Sequence, residues 1–213
     1  MISRRIKTIA SCLEDKKILA DVGCDHGYLI IEGFLNYHLT KAYAIDNKEK
    51  PLMSAKTNIS KYPFFKNVDF LLSDGLEKLN TNVDVIVFAG MGGLLIIDLI
   101  KKDFSKLNEA RLIIQANRNI YEVRKYLTEN GYYIFDEKMV YEDEKYYEIL
   151  VFEKAKVNIS YSEQELYFGP IFLKKKESIF NEKLKKELTY LESIPYKTND
   201  ILEKINMIKE ILW

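Results

Sequence analysis

Between Lys16 and Lys154, short apolar runs alternate with stretches in which apolar residues recur every three or four positions. That alternation of strand and helix patterns is the signature of a mainly parallel α/β sheet. The runs predict seven strands, near 18–22, 41–45, 68–72, 83–89, 111–115, 132–139 and 146–153, with helices near 27–37, 48–61, 92–102 and 119–129. No helical pattern separates the last two strands; the polar stretch Tyr141-Glu142-Asp143-Glu144-Lys145 joins them and predicts an antiparallel hairpin.

Beyond Lys154 the pattern becomes purely helical. Ser162, with Glu165 three positions later, reads as a capped helix start. Leu173, Phe180, Leu184, Leu188, Leu191 and Ile194 form a stripe along one expected helix, which Pro195 ends. A second stripe of Ile201, Ile205, Ile208 and Leu212 follows, so two amphipathic helices should pack as an antiparallel hairpin. Such a pair serves as a structural cap or as an arm that holds a substrate.

The strand ends carry the chemistry. Asp21-Val22-Gly23-Cys24-Asp25-His26-Gly27-Tyr28 sets two glycines and two aspartates at the carboxyl edge of an apolar strand, where parallel sheets open their ligand crevice. This spacing differs from the Gly-x-Gly-x-x-Gly of dinucleotide enzymes. Carboxylates there repel a pyrophosphate and suit the cationic amino-acid end of S-adenosylmethionine. A tight turn with solvated aspartates is the plainer alternative. Asp46, followed by Asn47, ends the second strand 23 residues beyond Gly23, about where a carboxylate meets the two hydroxyls of a ribose. Asp74-Gly75 ends the third strand, where an acceptor and free backbone amides can read an adenine edge. The fourth strand stops on Gly90-Met91-Gly92-Gly93, leaving bare backbone beside the expected methyl group. The Asn/Asp-Pro-Pro-aromatic signature of many amine methylases is absent from that place.

Composition bounds these readings. With 213 residues, 47% hydrophobic and 30% charged, the chain can bury a core and fits neither a disordered nor a membrane protein. Its start, Met1-Ile2-Ser3-Arg4-Arg5, shows no secretory signal, so a cytoplasmic protein is expected. Two cysteines, Cys12 and Cys24, without a CxxC pair predict neither a metal site nor a disulfide. Net charge is zero, so a nucleic-acid partner would need local basic clusters. Lys174, Lys175 and Lys176, with Lys183, Lys185 and Lys186, are the densest, and Arg4, Arg5 and Lys7 form another. Each also reads as a solvated helix face.

Five segments together resemble one family: Asp21 to Leu29, Gly90-Met91-Gly92-Gly93, Gln115-x-Asn117, Lys145-Tyr146-Tyr147-Glu148-Ile149 and Phe168-Gly169-Pro170. They look like the TrmK family of bacterial tRNA methyltransferases, and the likeness covers nearly the whole chain. Where that family usually reads Ser-Asp-His-Ala and Gln-Pro-Asn, this chain has Cys24-Asp25-His26-Gly27 and Gln115-Ala116-Asn117. The resemblance implies a class I, Rossmann-like methyltransferase domain over 1–155 and a coiled-coil-like helical hairpin over 156–213 that binds tRNA. It also implies methyl transfer from S-adenosylmethionine to N1 of adenine 22. Cofactor contacts are then expected from Asp21, Gly23, Asp25, Gly27, Asp46, Asn47, Asp74, Gly75, Gly90, Met91 and Gly92. An extruded base would stack on Tyr28 and bond His26, while Asp21 or Asp25 offsets the charge of the cationic product. Asn117, Arg118 and the six lysines are the expected RNA contacts. A monomer without a metal or a membrane partner is expected. Two other readings compete: an NAD-dependent oxidoreductase using the same Asp46, and a non-catalytic RNA-binding module of similar fold.

Overall fold

The computed structural model describes residues 2–157 and 159–213. Seven strands form one sheet: β1 (Ile18–Val22), β2 (Lys41–Asp46), β3 (Val68–Leu72), β4 (Val85–Met91), β5 (Arg111–Ala116), β6 (Tyr132–Glu142) and β7 (Lys145–Lys154). Their order is β3-β2-β1-β4-β5-β7-β6, and β7 runs antiparallel to both of its neighbours. The hairpin turn places Asp143 and Glu144 at φ 49° and 59°. Two successive left-handed residues are what a two-residue type I′ turn demands.

Side chains of β1 alternate between two cores. Leu19 joins α1 (Arg4–Ala10), α2 (Tyr28–Asn36) and α3 (Glu49–Ile59) on one face, whereas Ala20 and Val22 join α4 (Gly93–Lys102) and α5 (Ile120–Glu129) on the other. Helices on both faces bury the central strands completely, which explains their unbroken apolar runs. The parallel strands therefore end together at one edge, and β7, being reversed, brings its first residues there.

The sequence pattern did not predict α1, whose Ser3 side chain caps Ile6 N at 3.2 Å. The C-terminal region also differs from expectation. Ser162 does start a helix, α6 (Glu163–Phe168), with both arms of the capping box formed. The expected single helix is broken into α6, α7 (Pro170–Lys175) and α8 (Ser178–Ser193). Pro170 can only open a helix, and Lys176 turns left-handed at φ 48°, so Leu173 sits on a different helix from Phe180. In α9 (Asn199–Leu212), Ile205, Ile208 and Ile211 are buried; Leu212 is only partly so. The α8–α9 pair packs around Phe168, Phe172, Phe180 and Leu184, against Met139 of β6.

A buried ion cluster fastens this appendage to the sheet. Arg124 of α5 is fully buried, and all its donors are used: Nε and Nη2 to Glu137 on β6, Nη2 also to Glu148 on β7, and Nη1 to the carbonyls of Leu166 and Tyr167 on α6. Lys183 of α8 takes the other Glu148 oxygen at 2.8 Å. Burial opposes ionisation of Glu148, but Lys183 and Arg124 outweigh it and hold its pKa down to about 2.

Candidate active site

A cavity of about 330 Å³ opens at the carboxyl ends of β1 to β4. Gly23, Asp25, Asp46, Asn47, Asp74, Gly75 and Met91 line it, as the strand-end motifs predict. Gly23 suits glycine because its φ is +80°; a Cβ there would lie 2.9 Å from Met91 Cε, a contact the flexible methionine could relieve by shifting. Asp46 is buried and accepts a hydrogen bond from Lys48 N through Oδ1 at 2.9 Å, which fixes its carboxylate at the cavity wall. Asp74 is exposed and pairs with Lys102 at 3.0 Å.

Other predicted residues lie outside the lining. Gly27, at φ +70°, leaves room for α3, because a Cβ would meet Ile59 Cδ1 at 2.8 Å. Asp21 is buried behind the turn, where burial, helped by Asp46 and Asp25, pushes its carboxyl up to about 7. His26 is exposed, with Nδ1 2.7 Å from Ser54 Oγ on α3, and its ring centroid is 5.6 Å from that of exposed Tyr28. Sequence reasoning missed Lys48, Pro51, Leu95 and Leu99 in the lining. The two leucines carried a signal, a four-residue spacing on the helix that follows the glycine turn.

Gly90 forms a bulge: the β4–β5 register slips between Ala89 and Met91, and Gly90 takes φ +77°. Its backbone groups, displaced from the ladder, are taken by side chains of β5 and the following loop. Gln115 Oε1 accepts from Gly90 N at 3.2 Å, and Asn117 Nδ2 donates to Gly90 O at 2.8 Å. Gln115 was not predicted as a site residue, and it is fully buried.

Beside this wall runs a larger groove of about 1050 Å³, between the β6–β7 turn, the loop after β5 and the appendage. Asn117 and Arg118 line it with Tyr121, Tyr146, Tyr147 and Tyr167, and Arg5, Lys186 and Lys204 add positive charge. The predicted lysine cluster is divided. Lys186 borders the groove with Nζ 4.7 Å from the Tyr141 ring centroid, while Lys183 is committed to Glu148. Lys174, Lys175 and Lys176 stand apart from it; Lys175 pairs with Asp136, and Lys176 donates to the Ile211 carbonyl. Lys185 is exposed and outside the lining. Among the described residues no group of three His, Cys, Asp or Glu side chains could hold a metal, and no helix is long and apolar enough to cross a membrane.

The family model for tRNA (adenine(22)-N(1))-methyltransferase, TrmK, matches residues 19–212. The chain belongs to the TrmK family. The Bacillus subtilis tRNA (adenine(22)-N(1))-methyltransferase is 30% identical over 99% of this chain and 97% of its own length. Two solved TrmK-like structures superpose over the whole chain. A Streptococcus pneumoniae protein in complex with S-adenosyl-L-methionine is 34% identical with a TM-score of 0.91, covering all of both chains. M. capricolum TrmK in complex with S-adenosyl-homocysteine is 29% identical with a TM-score of 0.88, over 98% of that chain. The fold is thus the class I, Rossmann-like methyltransferase fold, as the strand pattern and the resemblance implied, and the family's cofactor is S-adenosylmethionine. The donor set here fits that cofactor: a buried carboxylate, Asp46, at the end of β2 for ribose hydroxyls, carboxylates beside the β1 turn for an ammonium group, and Met91, Leu95 and Leu99 as apolar walls. The dinucleotide-oxidoreductase alternative loses its support.

Asp21 is expected to lend the neighbouring cavity a pH dependence. An acid raised to about 7, against about 3.9 unfolded, keeps its proton in the folded cofactor-free protein, so its share of stability is present below about pH 4 and is lost as pH rises to 7. A cationic cofactor group bound beside the turn would favour the ionised form. Affinity for S-adenosylmethionine is therefore expected to rise between about pH 6 and 8, with proton release on binding. Calorimetry in two buffers of different ionisation enthalpy checks this, and a pH-independent affinity, or one equally pH-dependent in Asp21→Asn, would refute it.

Proposed function

We propose that this chain transfers the methyl group of S-adenosylmethionine to N1 of adenine 22 of tRNA, with the cofactor in the acidic cavity and the RNA in the adjoining groove. The reading rests on the junction of the two spaces. Asn117 lines the groove, and its backbone N donates to the carbonyl of Met91, which lines the cavity, at 2.8 Å.

When bound, the cofactor supplies an electrophilic methyl group. Asp46 would accept from both ribose hydroxyls, Asp25 and Asp21 would offset the cationic end, and Asp74-Gly75 would read the adenine. Neutral adenine N1 attacks through its lone pair, so the protein needs mainly to hold it in line, about 3–3.5 Å from the methyl carbon. Gly90 and Gly92 keep backbone, not side chains, along that approach. The product base is cationic, and buried Asp21 would stabilise it electrostatically as the charge forms.

Residues 1–155 would carry this chemistry, and 156–213 would form the appendage that borders the RNA groove. Arg118, Lys186 and Lys204 are the groove's phosphate contacts in this reading; Lys174, Lys175 and Lys176 could meet only more distant parts of the tRNA. A monomer acting in the cytoplasm fits the chain. Incubating the protein with unmodified tRNA and labelled S-adenosylmethionine, then mapping the modified nucleotide, tests the assignment. Label at a position other than adenine 22 would overturn it, and no label at all would favour the non-catalytic RNA-binding module.

Tyr28 and His26 form an exposed, tilted aromatic pair just past the β1 turn. If Tyr28 stacks on the extruded base, Tyr28→Ala should leave cofactor affinity within a few-fold and slow methyl transfer about 5- to 150-fold, the equivalent of about 1–3 kcal/mol of stacking. A wild-type rate on tRNA would reduce Tyr28 to a packing residue.

A further inference from the structure

The N-terminal helix touches the reaction centre through one side chain. Arg5 of α1 donates from Nη1 to Gln115 Oε1 at 3.1 Å. That oxygen is the same one that accepts from the Gly90 amide at 3.2 Å. Gln115 Nε2 in turn donates to Asn117 Oδ1 at 3.1 Å, and Asn117 Nδ2 closes the circuit on the Gly90 carbonyl. The guanidinium is itself held, 5.0 Å from the centroid of the Tyr147 ring, and the α1 backbone at Arg4 and Arg5 is anchored on the Glu142 carboxylate of the β6–β7 turn.

We propose that Arg5 is a positioning residue for methyl transfer, acting through Gln115 to fix the Gly90 bulge between the cofactor cavity and the RNA groove. The inference rests on reading this junction as the place of methyl transfer. Its physical basis is the bulge. A glycine at positive φ whose N–H and C=O have left the strand ladder keeps one conformation only if other groups take those bonds. Gln115 and Asn117 take them, and both are amides that can flip. Arginine has donors and no acceptor, so Arg5 admits only the Gln115 orientation with Oε1 toward itself and toward Gly90 N. Met91 follows the bulge and meets Gly23 of the cofactor turn, so a Gly90 that wanders carries the cavity wall with it. Arg5 also precedes residue 19, where the family match begins.

The test uses the full chain with Arg5→Met, which keeps the aliphatic stem and removes the donor, together with Arg5→Lys, Gln115→Met and the double variant. Arg5→Met is expected to lower kcat on tRNA at least tenfold, with KM for tRNA and affinity for S-adenosylhomocysteine within threefold of wild type. Arg5→Lys should recover part of the loss. The double variant should be no slower than Gln115→Met alone, because two groups in one chain of contacts are not additive. A raised KM with a flatter salt dependence and unchanged kcat would instead make Arg5 a phosphate contact and overturn the proposal, as would additive losses in the double variant. Hydrogen exchange at the Gly90 amide, which needs no turnover, separates this from failure of the functional reading. Exchange at least tenfold faster in Arg5→Met supports the positioning role even if wild type labels no tRNA, and unchanged protection refutes it even if wild type is active.

Discussion

Arg124→Met is expected to destabilise the protein by about 3–5 kcal/mol, the cost of breaking a buried ion cluster by removing one partner. For a chain of this size that lowers the melting temperature by roughly 6–20 °C. The loss comes from what remains. Glu137 and Glu148 stay buried, Lys183 compensates only Glu148, and the Leu166 and Tyr167 carbonyls lose their donor. Acid should shrink the difference. In the wild type Glu148 is held at about 2, against about 4.3 for a free glutamate, so its stabilising share is present above about pH 4–5 and disappears as pH falls toward 2. Thermal melts of wild type and variant at pH 7 and about pH 3 measure both effects. A change below 1 kcal/mol at pH 7 would mean that the cluster is dispensable. Because two hydrogen bonds from Arg124 to α6 and the Lys183–Glu148 pair from α8 tie this cluster to the appendage, the appendage is unlike a module on a linker, and its loss would be felt in the sheet.

Asp46→Ala should weaken cofactor binding by about 1.5–3 kcal/mol, the range for hydrogen bonds to a charged group, or about 10- to 150-fold in Kd. The fold should survive, since the side chain lies at a strand end and its one partner among the described residues, Lys48 N, sits at an exposed helix start. Titration calorimetry with S-adenosylhomocysteine decides the matter; an affinity within twofold of wild type would place the ribose elsewhere.

The strands were legible because burial on both faces leaves an unbroken apolar run, as in Val85 to Phe88. The cavity was legible for a related reason: acidic and glycine residues at the ends of parallel strands converge on one edge whatever the loops do. Contacts made across long separations left no local mark. Arg124 on an amphipathic helix looks like any solvated arginine, and only the fold brings Glu137 and Glu148 to it. Gly27 resembles a cofactor glycine in its motif, yet it lies outside the cavity lining and packs beside Ile59, far along the chain. Lys174 and Lys186 read as one patch because sequence distance ignores the break at Lys176. Helix α1 is seven residues long with three cationic side chains, too short to declare a periodicity; its place depends on the acceptor offered by Glu142.

The type I′ turn has a consequence for how a polyanion can approach. Glu142 is tied to the start of α1, while Asp143 and Glu144 project, exposed, at the lip of the groove. Arg118, Lys186 and Lys204 stand among its other lining residues. A phosphate chain crossing that lip would meet like charge, whereas one lying along Arg118, Lys186 and Lys204 would meet opposite charge. The turn would act as a gatepost, setting which side of the groove a phosphate path follows.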